Sequence, residues 1–344
     1  MSTDKKIKLA VFIDPGSHHF AENRLFDLKN ETLNRDGTLL PFVRMRDRLA
    51  SKGVPVYTAD YLRRGENVAE HNHYWSMGHT AGYEEFKGRD DVTLKGFLLY
   101  EPPLVVPKTY ALLETLAHDF ETVYLHNTIG DGYKLTKSMI PKLAKLHVPQ
   151  PYVSEVEPYW GVAERQNKIV VIAGNHNPRL RKPEYYSRRI HAIRSLAKTG
   201  DIDLFGRGWE RWWSKQSAWP TYWLNRSSLM ASYRGTCASK LEVLSRYRFS
   251  LCFENTPVTG YLTEKIFDCL YAGTVPVYLG APDIAKLVPP AAYVDMNKFA
   301  SYKEMWRSVK AMSESDWQDM REAGREFLRT VGRDTYANAL DVVS

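Results

Sequence analysis

Short apolar runs alternate with segments of helical periodicity along the first half of the chain. Residues 7–13 form an apolar run of strand length, and Phe42, Met45 and Leu49 then recur at helical spacing before a stop at Gly53. Further elements are predicted as strands at residues 54–57, 95–100 and 122–126 and as a helix at residues 110–117. This alternation is typical of an α/β fold with a parallel sheet.

The alternation stops and restarts near the middle of the chain. Residues 148–167 are rich in Pro, Gly and polar side chains, which is the composition of a linker. A second series of strand, helix and strand follows at residues 168–173, 185–197 and 202–205. We therefore expect two domains, residues 1–155 and 165–330, and a C-terminal tail at residues 331–344.

Length, composition and charge agree with two soluble-type domains. The 344 residues, 44% hydrophobic and 25% charged, exceed what one core usually supports. The net charge of +7, from 47 Lys and Arg against 40 Asp and Glu, is compatible with nucleotides, phosphates or a membrane surface. Because no block of Lys or Arg marks a nucleic-acid-binding arm, we expect no nucleic-acid partner.

The sequence predicts a reducing compartment and no passage through a bilayer. The three cysteines are scattered and build no disulfide framework. The N-terminal apolar run is too short for a signal peptide, and no run approaches the ~18 apolar residues that a membrane-spanning helix needs. We expect a cytoplasmic protein, with peripheral attachment to the inner face of the membrane as the alternative.

The most informative pattern lies between residues 246 and 280. Apolar and polar residues alternate up to Phe253, as in a strand whose carboxyl end delivers Glu254 and Asn255 into a loop. Ligands gather at such strand ends in open α/β sheets. This loop is therefore a candidate binding site.

A helix is predicted directly after the loop, with Thr263 as its N-cap and Gly273 as its stop, and the next strand is predicted at residues 275–279. Glu264 and Lys265 then lie in the first turn, where backbone N–H groups and the helix dipole favour an anion. Lys265 would support a departing diphosphate, and Glu264 suits sugar hydroxyls. The alternative is a solvated Glu-Lys pair on an exposed turn.

The stretch RYRFSLCFENTPVTGYLTEKIFDCLYAGTVPVYLG at residues 246–280 resembles the donor-binding signature of the α1,3/4-fucosyltransferases, glycosyltransferase family 10. It matches the order of strand, FEN, variable loop, Y-x-T-E-K, helix and V-P-V strand without a gap. The resemblance implies an α/β protein of GT-B architecture, with two Rossmann-like domains facing a central cleft. It also implies that the N-terminal domain mainly holds the sugar acceptor and the C-terminal domain holds GDP-fucose.

The resemblance assigns roles to residues of this stretch. Tyr261, Glu264 and Lys265 become donor-site residues, with Lys265 on the diphosphate. Glu254 and Asn255 line the same pocket.

An arginine of the preceding helix completes the donor site implied by the resemblance. Family members carry a diphosphate-binding arginine seven residues before a helix leucine, and the residue seven before Leu196 is Arg189. Bidentate guanidinium contacts suit phosphate oxygens. The loop ahead of this helix is longer here than is usual in the family, so Arg188 is the alternative.

An inverting transfer needs a carboxylate opposite the departing diphosphate to take the proton of the acceptor hydroxyl. Glu101 is our candidate because it ends a predicted strand and resembles the family's strand-terminal glutamate, with Pro102 and Pro103 behind it. A structural or capping carboxylate is the alternative. Inversion of GDP-β-L-fucose would give an α-linked fucoside.

No obligatory metal is implied, and a divalent metal would be at most stimulatory. Asp201-Ile-Asp203 imitates a DxD metal motif but leads into a predicted strand. A second polar set matches no standard zinc spacing and is interpreted as a loop facing the acceptor: Glu70, His71, His73 and His79.

Five tryptophans lie close together in the second half: Trp209, Trp212, Trp213, Trp219 and Trp223. Core packing accounts for most such residues. We also hypothesise that Trp212 and Trp213 line the acceptor cleft or a membrane-facing patch.

The sequence and its resemblance together predict transfer of L-fucose from GDP-fucose to a glycan hydroxyl, most simply in an α1,3 linkage. Galactosides, N-acetylglucosamine, lipopolysaccharide O-chains and protein glycans all stay open as acceptors, and no oligomeric state is predicted. One alternative is a GT-B transferase that uses another sugar nucleotide. Another is a catalytically silent protein that binds a glycan or a nucleotide.

Overall fold

The chain folds into two units, each built on a parallel sheet. The computed structural model describes residues 7–151, 157–162, 164–176, 183–211 and 219–344. Residues Met1–Pro151 and Thr335–Ser344 form unit 1, and Tyr152–Asp334 form unit 2. The C-terminal segment thus groups with the N-terminal unit, where the Arg48 guanidinium donates to the carbonyls of Leu340 (3.3 Å) and Val343 (2.8 Å).

Unit 1 is a six-stranded sheet with helices between the strands. Its elements in chain order are β1 (Leu9–Asp14), α1 (Leu40–Ser51), β2 (Val56–Thr58), α2 (Ala59–Arg63), β3 (His71–Ser76), β4 (Val92–Leu98), α3 (Pro107–Ala111), α4 (Leu113–Asp119), β5 (Thr122–Leu125) and β6 (Leu143–Lys145). The strand order is β2-β1-β3-β4-β5-β6, and every pairing is parallel.

Both faces of this sheet are buried, which explains why its first strand is apolar without interruption. Ala10 and Phe12 pack into the hydrophobic cluster on one face, and Val11 and Ile13 pack into the cluster on the other. Such alternation follows from side chains pointing to opposite sides of a strand. The strand and helix predicted at the start of the chain are confirmed within one or two residues at each end.

β3 and β6 are strands of this sheet that the hydrophobic pattern did not predict. The expectation of a polar loop is wrong for His71 and His73, which lie on β3 between β1 and β4. Asn72 is fully buried there, and its side chain exchanges hydrogen bonds with the backbone of Ala69 and donates to the carbonyl of Asp91. A buried amide with all its partners in place can occupy a central strand.

Unit 2 is a five-stranded sheet with a larger set of helices. Its elements in chain order are α5 (Glu157–Trp160), β7 (Gln166–Ile172), α6 (Tyr186–Ala197), β8 (Ile202–Phe205), α7 (Trp219–Ser232), α8 (Lys240–Leu244), β9 (Tyr247–Phe253), α9 (Glu264–Tyr271), β10 (Val275–Leu279), α10 (Ile284–Leu287), β11 (Val294–Asp295), α11 (Tyr302–Lys310) and α12 (Glu314–Phe327). The strand order is β11-β10-β9-β7-β8, again with every pairing parallel. After α12 the chain continues as a π-helical segment, Leu328–Ala337.

The strands predicted for the second half are confirmed, and β8 and β10 have the predicted bounds. Ile169, Phe249 and Val277 come from three adjacent strands and are fully buried in one core with the inner face of α6. Within the described ranges, the chain has no helix with the length and apolarity to cross a bilayer.

Candidate functional site

The order of strands in unit 2 reverses at the carboxyl ends of β7 and β9, where open α/β sheets form a crevice. The chain leaves β7 toward β8 on one side, whereas β9 pairs with β7 on the other. Open α/β sheets bind their ligands at such a reversal of strand order. The loop after β9 is tied to the start of α6, because Tyr185 N–H donates to the Asn255 carbonyl at 2.9 Å. The predicted donor residues of both segments therefore meet at one edge of the sheet.

Glu254, the first residue after β9, is fully buried and is the centre of a polar network. Its carboxylate accepts hydrogen bonds from the Thr263 N–H at 2.9 Å, from the Thr263 hydroxyl at 2.8 Å and from Lys265 Nζ at 3.1 Å. A Cβ at Gly280 would lie 2.2 Å from the Tyr278 hydroxyl oxygen and 2.6 Å from Glu254 Cγ, so only glycine fits there. The burial of Glu254 is therefore built into the adjoining strand end.

Thr263 occupies the N-cap position of α9 as predicted, but its side chain makes no capping hydrogen bond. Its hydroxyl instead donates to Glu254 and accepts from Lys265 Nζ at 2.9 Å. The buried carboxylate is the stronger acceptor, so it diverts the hydroxyl from the helix end. The sequence identified the position of Thr263 correctly and its partner incorrectly.

Lys265 and Glu264 lie side by side at the start of α9 and carry opposite charges. Lys265 keeps 26% of its side chain exposed while bonded to Glu254, and Glu264 Oε1 lies 3.7 Å from Lys265 Nζ with 49% of its side chain exposed. Burial lowers the pKa of Lys265, but the nearby carboxylates of Glu254 and Glu264 outweigh this effect and raise the pKa well above its usual value. Partial burial raises the pKa of Glu264, but Lys265 and Lys240 bring it down to about 2. Both side chains are ionised at neutral pH.

Arg189 reaches the same edge from α6, where it is 5% exposed. Its guanidinium donates to the carbonyl of Phe253, the last residue of β9, at 2.6 Å. Burial lowers the pKa of Arg189, and the nearby Glu254 partly offsets that effect. A guanidinium has five N–H donors, and a single hydrogen bond to a described residue uses one of them.

Arg188, the alternative to Arg189, points elsewhere. It is exposed, and its guanidinium carbon lies 6.0 Å from the centre of the Tyr185 ring. Of the two arginines, the structure therefore brings Arg189 to Glu254 and the end of β9.

Asn255 and Tyr261 belong to the same loop and are bonded to each other. Asn255 Nδ2 donates to the Tyr261 hydroxyl at 3.2 Å, and Tyr261 is 1% exposed. The Gly260 N–H donates to Asp283 Oδ1 at 2.8 Å, which fixes the tip of the loop. Asp283 was not identified from the sequence as part of this loop's contacts, because it lies after the matched stretch at residues 246–280, in a turn that carries no motif.

Glu101 lies in unit 1, three residues after the end of β4. Glu101 is exposed, and the backbone carbonyls of Tyr100 and Glu101 itself both make hydrogen bonds. His126 Nε2 lies 2.8 Å from the Tyr100 carbonyl oxygen, and the Tyr110 hydroxyl donates to the Glu101 carbonyl at 3.2 Å. The carboxylate is therefore carried by an anchored loop at the carboxyl edge of the sheet.

The other polar groups considered in the sequence form no metal site among the described residues. Among the described residues, no group of three or more His, Cys, Asp or Glu side chains could hold a metal ion. Asp201 accepts from Lys310 Nζ and Trp306 Nε1, and Asp203 pairs with Arg234, so both carboxylates are engaged in packing unit 2.

The tryptophan cluster is only partly described. Trp209 is buried, and its indole N–H donates to the Ala173 carbonyl at 2.7 Å, which agrees with a packing role. Trp223 is 39% exposed. Trp212 and Trp213 lie outside the described residues.

Comparison with known proteins gives a family match that lies within unit 2. Residues 163–321 match the model of the C-terminal domain of glycosyltransferase family 10 (fucosyltransferase). The α-(1,3)-fucosyltransferase FucT of Helicobacter pylori is 46% identical over 72 residues, which cover 21% of this chain and 15% of that protein. Human α-(1,3)-fucosyltransferase 7 is 31% identical over 176 residues, covering 49% of this chain and 42% of that protein. The chain thus aligns with less than half the length of these relatives.

The likeness to solved structures extends over both units. A crystal structure of an α1,3-fucosyltransferase covers 93% of this chain and 83% of its own, with a TM-score of 0.50 and 16% identity. At that identity the likeness shows the fold, which is the GT-B class expected from the sequence. The matched domain and the curated relatives agree with each other: residues 163–321 are similar to the C-terminal domain of glycosyltransferase family 10, and the relatives are named as α-(1,3)-fucosyltransferases.

Proposed function

We propose that this protein transfers L-fucose from GDP-β-L-fucose to a hydroxyl group of a glycan, with inversion at the anomeric carbon. The observation that carries the proposal is the meeting of Arg189, Glu254 and Lys265 at the crevice of unit 2. The resemblance of residues 246–280 to the donor signature of the family and the names of the relatives support the choice of fucose.

The donor site needs cations that meet negative charge as the glycosidic bond breaks. Lys265 Nζ is partly exposed and held by Glu254, so it is preorganised instead of free to rotate. Arg189 can offer its remaining N–H donors to phosphate oxygens. Two fixed cations neutralise a diphosphate leaving group without a step that depends on a metal.

The buried members of the network act through their neighbours. Glu254 and Tyr261 expose almost no surface, so we propose that they hold Lys265 and the loop in place for the donor. Glu264 keeps an exposed carboxylate that is ionised at neutral pH and can accept hydrogen bonds from sugar hydroxyls. Asn255 fixes Tyr261 in the same loop.

Glu101 is the proposed general base. Direct displacement at the anomeric carbon removes the diphosphate on one side while the acceptor hydroxyl attacks on the other, and a carboxylate takes the hydroxyl proton. The anchored backbone on either side of Glu101 supports this role, because a base must be held within hydrogen-bonding reach of its proton. The product of inversion is an α-fucoside.

The linkage and the acceptor are finer parts of the proposal. We propose an α1,3 linkage because the named relatives in the family form it. A saccharide of a glycoconjugate, such as a lipopolysaccharide or a protein glycan, is the proposed acceptor class.

A donor panel tests the proposal. The protein is incubated with a mixture of galactosides and N-acetylglucosaminides and with GDP-fucose, GDP-mannose or UDP-sugars, and release of GDP or UDP is measured. The proposal expects turnover with GDP-fucose and a much lower rate with the others. Turnover with GDP-mannose or a UDP-sugar alone would assign the chain to a different donor. Binding of GDP without any turnover would favour a catalytically silent protein.

A further inference from the structure

Unit 1 has a reversal of strand order of its own, between β1 and β3. The chain passes from β1 to β2 on one side, whereas β3 pairs with β1 on the other. β1 ends at Asp14 and β3 at Ser76, so both residues lie at the carboxyl edge of the sheet. By the same rule that locates the site in unit 2, a ligand is expected here.

Asp14 is 3% exposed and gathers donors from four different segments. Its carboxylate accepts from the Tyr74 hydroxyl at 2.6 Å, from Arg63 at 2.5 Å and from the Gly16 N–H at 3.1 Å. His79 Nδ1 lies 3.1 Å from the same carboxylate. Burial raises the pKa of Asp14, but the bonds from Tyr74 and Arg63 outweigh it and leave the pKa below its usual value.

His79 is held in both its backbone and its ring. The Ser76 hydroxyl accepts from the His79 N–H and donates to the His79 carbonyl, each at 3.0 Å. Nδ1 faces the ionised Asp14, which selects the tautomer with the proton on Nδ1 and leaves a lone pair on Nε2. The side chain is 37% exposed, and Nε2 makes no hydrogen bond with any residue that the structure describes.

The backbone of Gly82 packs closely against this pair. A Cβ at Gly82 would lie 2.2 Å from Asp14 Oδ2 and 2.4 Å from His79 Nδ1. A glycine is therefore required where its backbone passes over the carboxylate and the ring. The exposed edge of the His79 ring is therefore held in place by its contacts with Asp14 and Ser76, which are both buried.

The charges of the cluster indicate the kind of ligand that it takes. Arg63 donates to both Asp14 and Glu85, each at 2.5 Å, so one cation is shared between two carboxylates. The carboxylates of Asp14 and Glu85 outnumber this one cation, which disfavours phosphate or carboxylate ligands. A hydroxyl that donates to Nε2 fits both the charge and the lone pair.

We propose that His79, oriented by Asp14, accepts a hydrogen bond through Nε2 from a hydroxyl of the acceptor saccharide. This inference rests on the proposed function, since it names where unit 1 holds the glycan. His79 is a binding residue of the acceptor in this proposal, and Asp14 is a positioning residue that acts through it. The proton of the reacting hydroxyl still passes to Glu101.

Three variants test the proposal: His79→Ala, His79→Gln and His118→Ala. Steady-state rates are measured with the best acceptor from the galactoside and N-acetylglucosaminide panel. Loss of one neutral hydrogen bond predicts that His79→Ala raises the acceptor KM roughly 5-fold, with the KM for GDP-fucose unchanged. His79→Gln places an amide oxygen near the site of Nε2 and recovers most of the affinity. His118 has 86% of its side chain exposed and pairs with Asp119 on the surface, so His118→Ala is the matched control and leaves both constants unchanged.

Binding of the same saccharides is also measured without donor, by saturation-transfer NMR. This measurement separates a failure of the His79 inference from a failure of the proposed function. An active native protein whose acceptor KM does not change in His79→Ala overturns this inference and leaves the proposed function intact. Equal rises in the KM for donor and acceptor would indicate a structural role and also overturn it. A native protein that binds saccharide in a His79-dependent way but never turns over GDP-fucose supports this subsite and overturns the proposed function. Absence of both turnover and saccharide binding overturns both.

Discussion

Glu254→Gln removes the charge at the centre of the buried polar network while keeping the shape of the side chain. In the native protein three donors converge on the carboxylate: Thr263 N–H, the Thr263 hydroxyl and Lys265 Nζ. A glutamine offers one acceptor oxygen and turns an NH2 group toward a donor. The substitution therefore leaves the charge of Lys265 without its buried partner.

The expected loss can be worked out from these contacts. Hydrogen bonds to charged groups are worth about 1.5–3 kcal/mol, and breaking one side of a fully buried ion pair costs about 3–5 kcal/mol. Lys265 keeps 26% of its side chain exposed, so water screens part of its charge. We expect Glu254→Gln to destabilise the start of α9 by about 3 kcal/mol. Glu264→Gln is the matched control, because Glu264 is half exposed and its loss should cost under about 1 kcal/mol.

Hydrogen exchange read by mass spectrometry suits this measurement, because a chain of two units need not unfold in one step. Amides of α9 should exchange on the order of 100-fold faster in Glu254→Gln, since each 1.4 kcal/mol is a factor of ten. Lys265→Met should cancel much of that effect when combined with Glu254→Gln, because it removes the unpaired cation. The reasoning is refuted if Glu254→Gln behaves like Glu264→Gln and the double variant shows no coupling.

Three further predictions concern the ends of the strands. Arg189→Lys should weaken GDP binding by about 10- to 100-fold in calorimetry, whereas Arg188→Lys should change it by less than about twofold. Equal effects of the two substitutions would remove the reason for preferring Arg189. Glu101→Gln should lower kcat by about 10²- to 10⁴-fold while GDP binding is unchanged, and full activity in this variant would exclude Glu101 as the base. His126 is fully buried, and burial lowers its pKa to about 4, against about 6.5 in the unfolded chain. Since the unfolded chain binds the proton first, the free energy of unfolding should fall by about 3 kcal/mol as the pH drops from 6.5 to 4 and then level off. A His126→Asn variant with the same slope would show that another group is responsible.

Much of the fold could be predicted because its strands are buried on both faces. Such strands are rich in apolar residues, and β8 and β10 were found with the expected bounds. β3 was missed because its residues, His71 to Ser76, read as polar. Asn72 is stable in the centre of the sheet only because of hydrogen bonds to Ala69 and Asp91, which are made after the chain has folded.

The candidate site could be predicted in position but not in detail. A strand followed by FEN and a helix start places Glu254 and Lys265 at one sheet edge, and the structure brings them within 3.1 Å. The sequence assigned both to the donor, yet Glu254 is buried beneath Lys265. Burial depends on Gly280 and on the packing of the next strand, which residue spacing does not encode. His79 was singled out from the sequence but its pairing with Asp14 was missed, because the two residues are 65 positions apart along the chain.

The most direct test of the proposed function is the structure of the product. GDP-fucose and the best acceptor are incubated with the protein, and the isolated product is examined by proton NMR. Inverting transfer from GDP-β-L-fucose predicts one new fucosyl residue in α linkage, read from its anomeric coupling, together with one GDP per fucose transferred. A β-fucoside, or GDP release without any fucosylated product, would contradict the mechanism proposed for Glu101, Arg189 and Lys265.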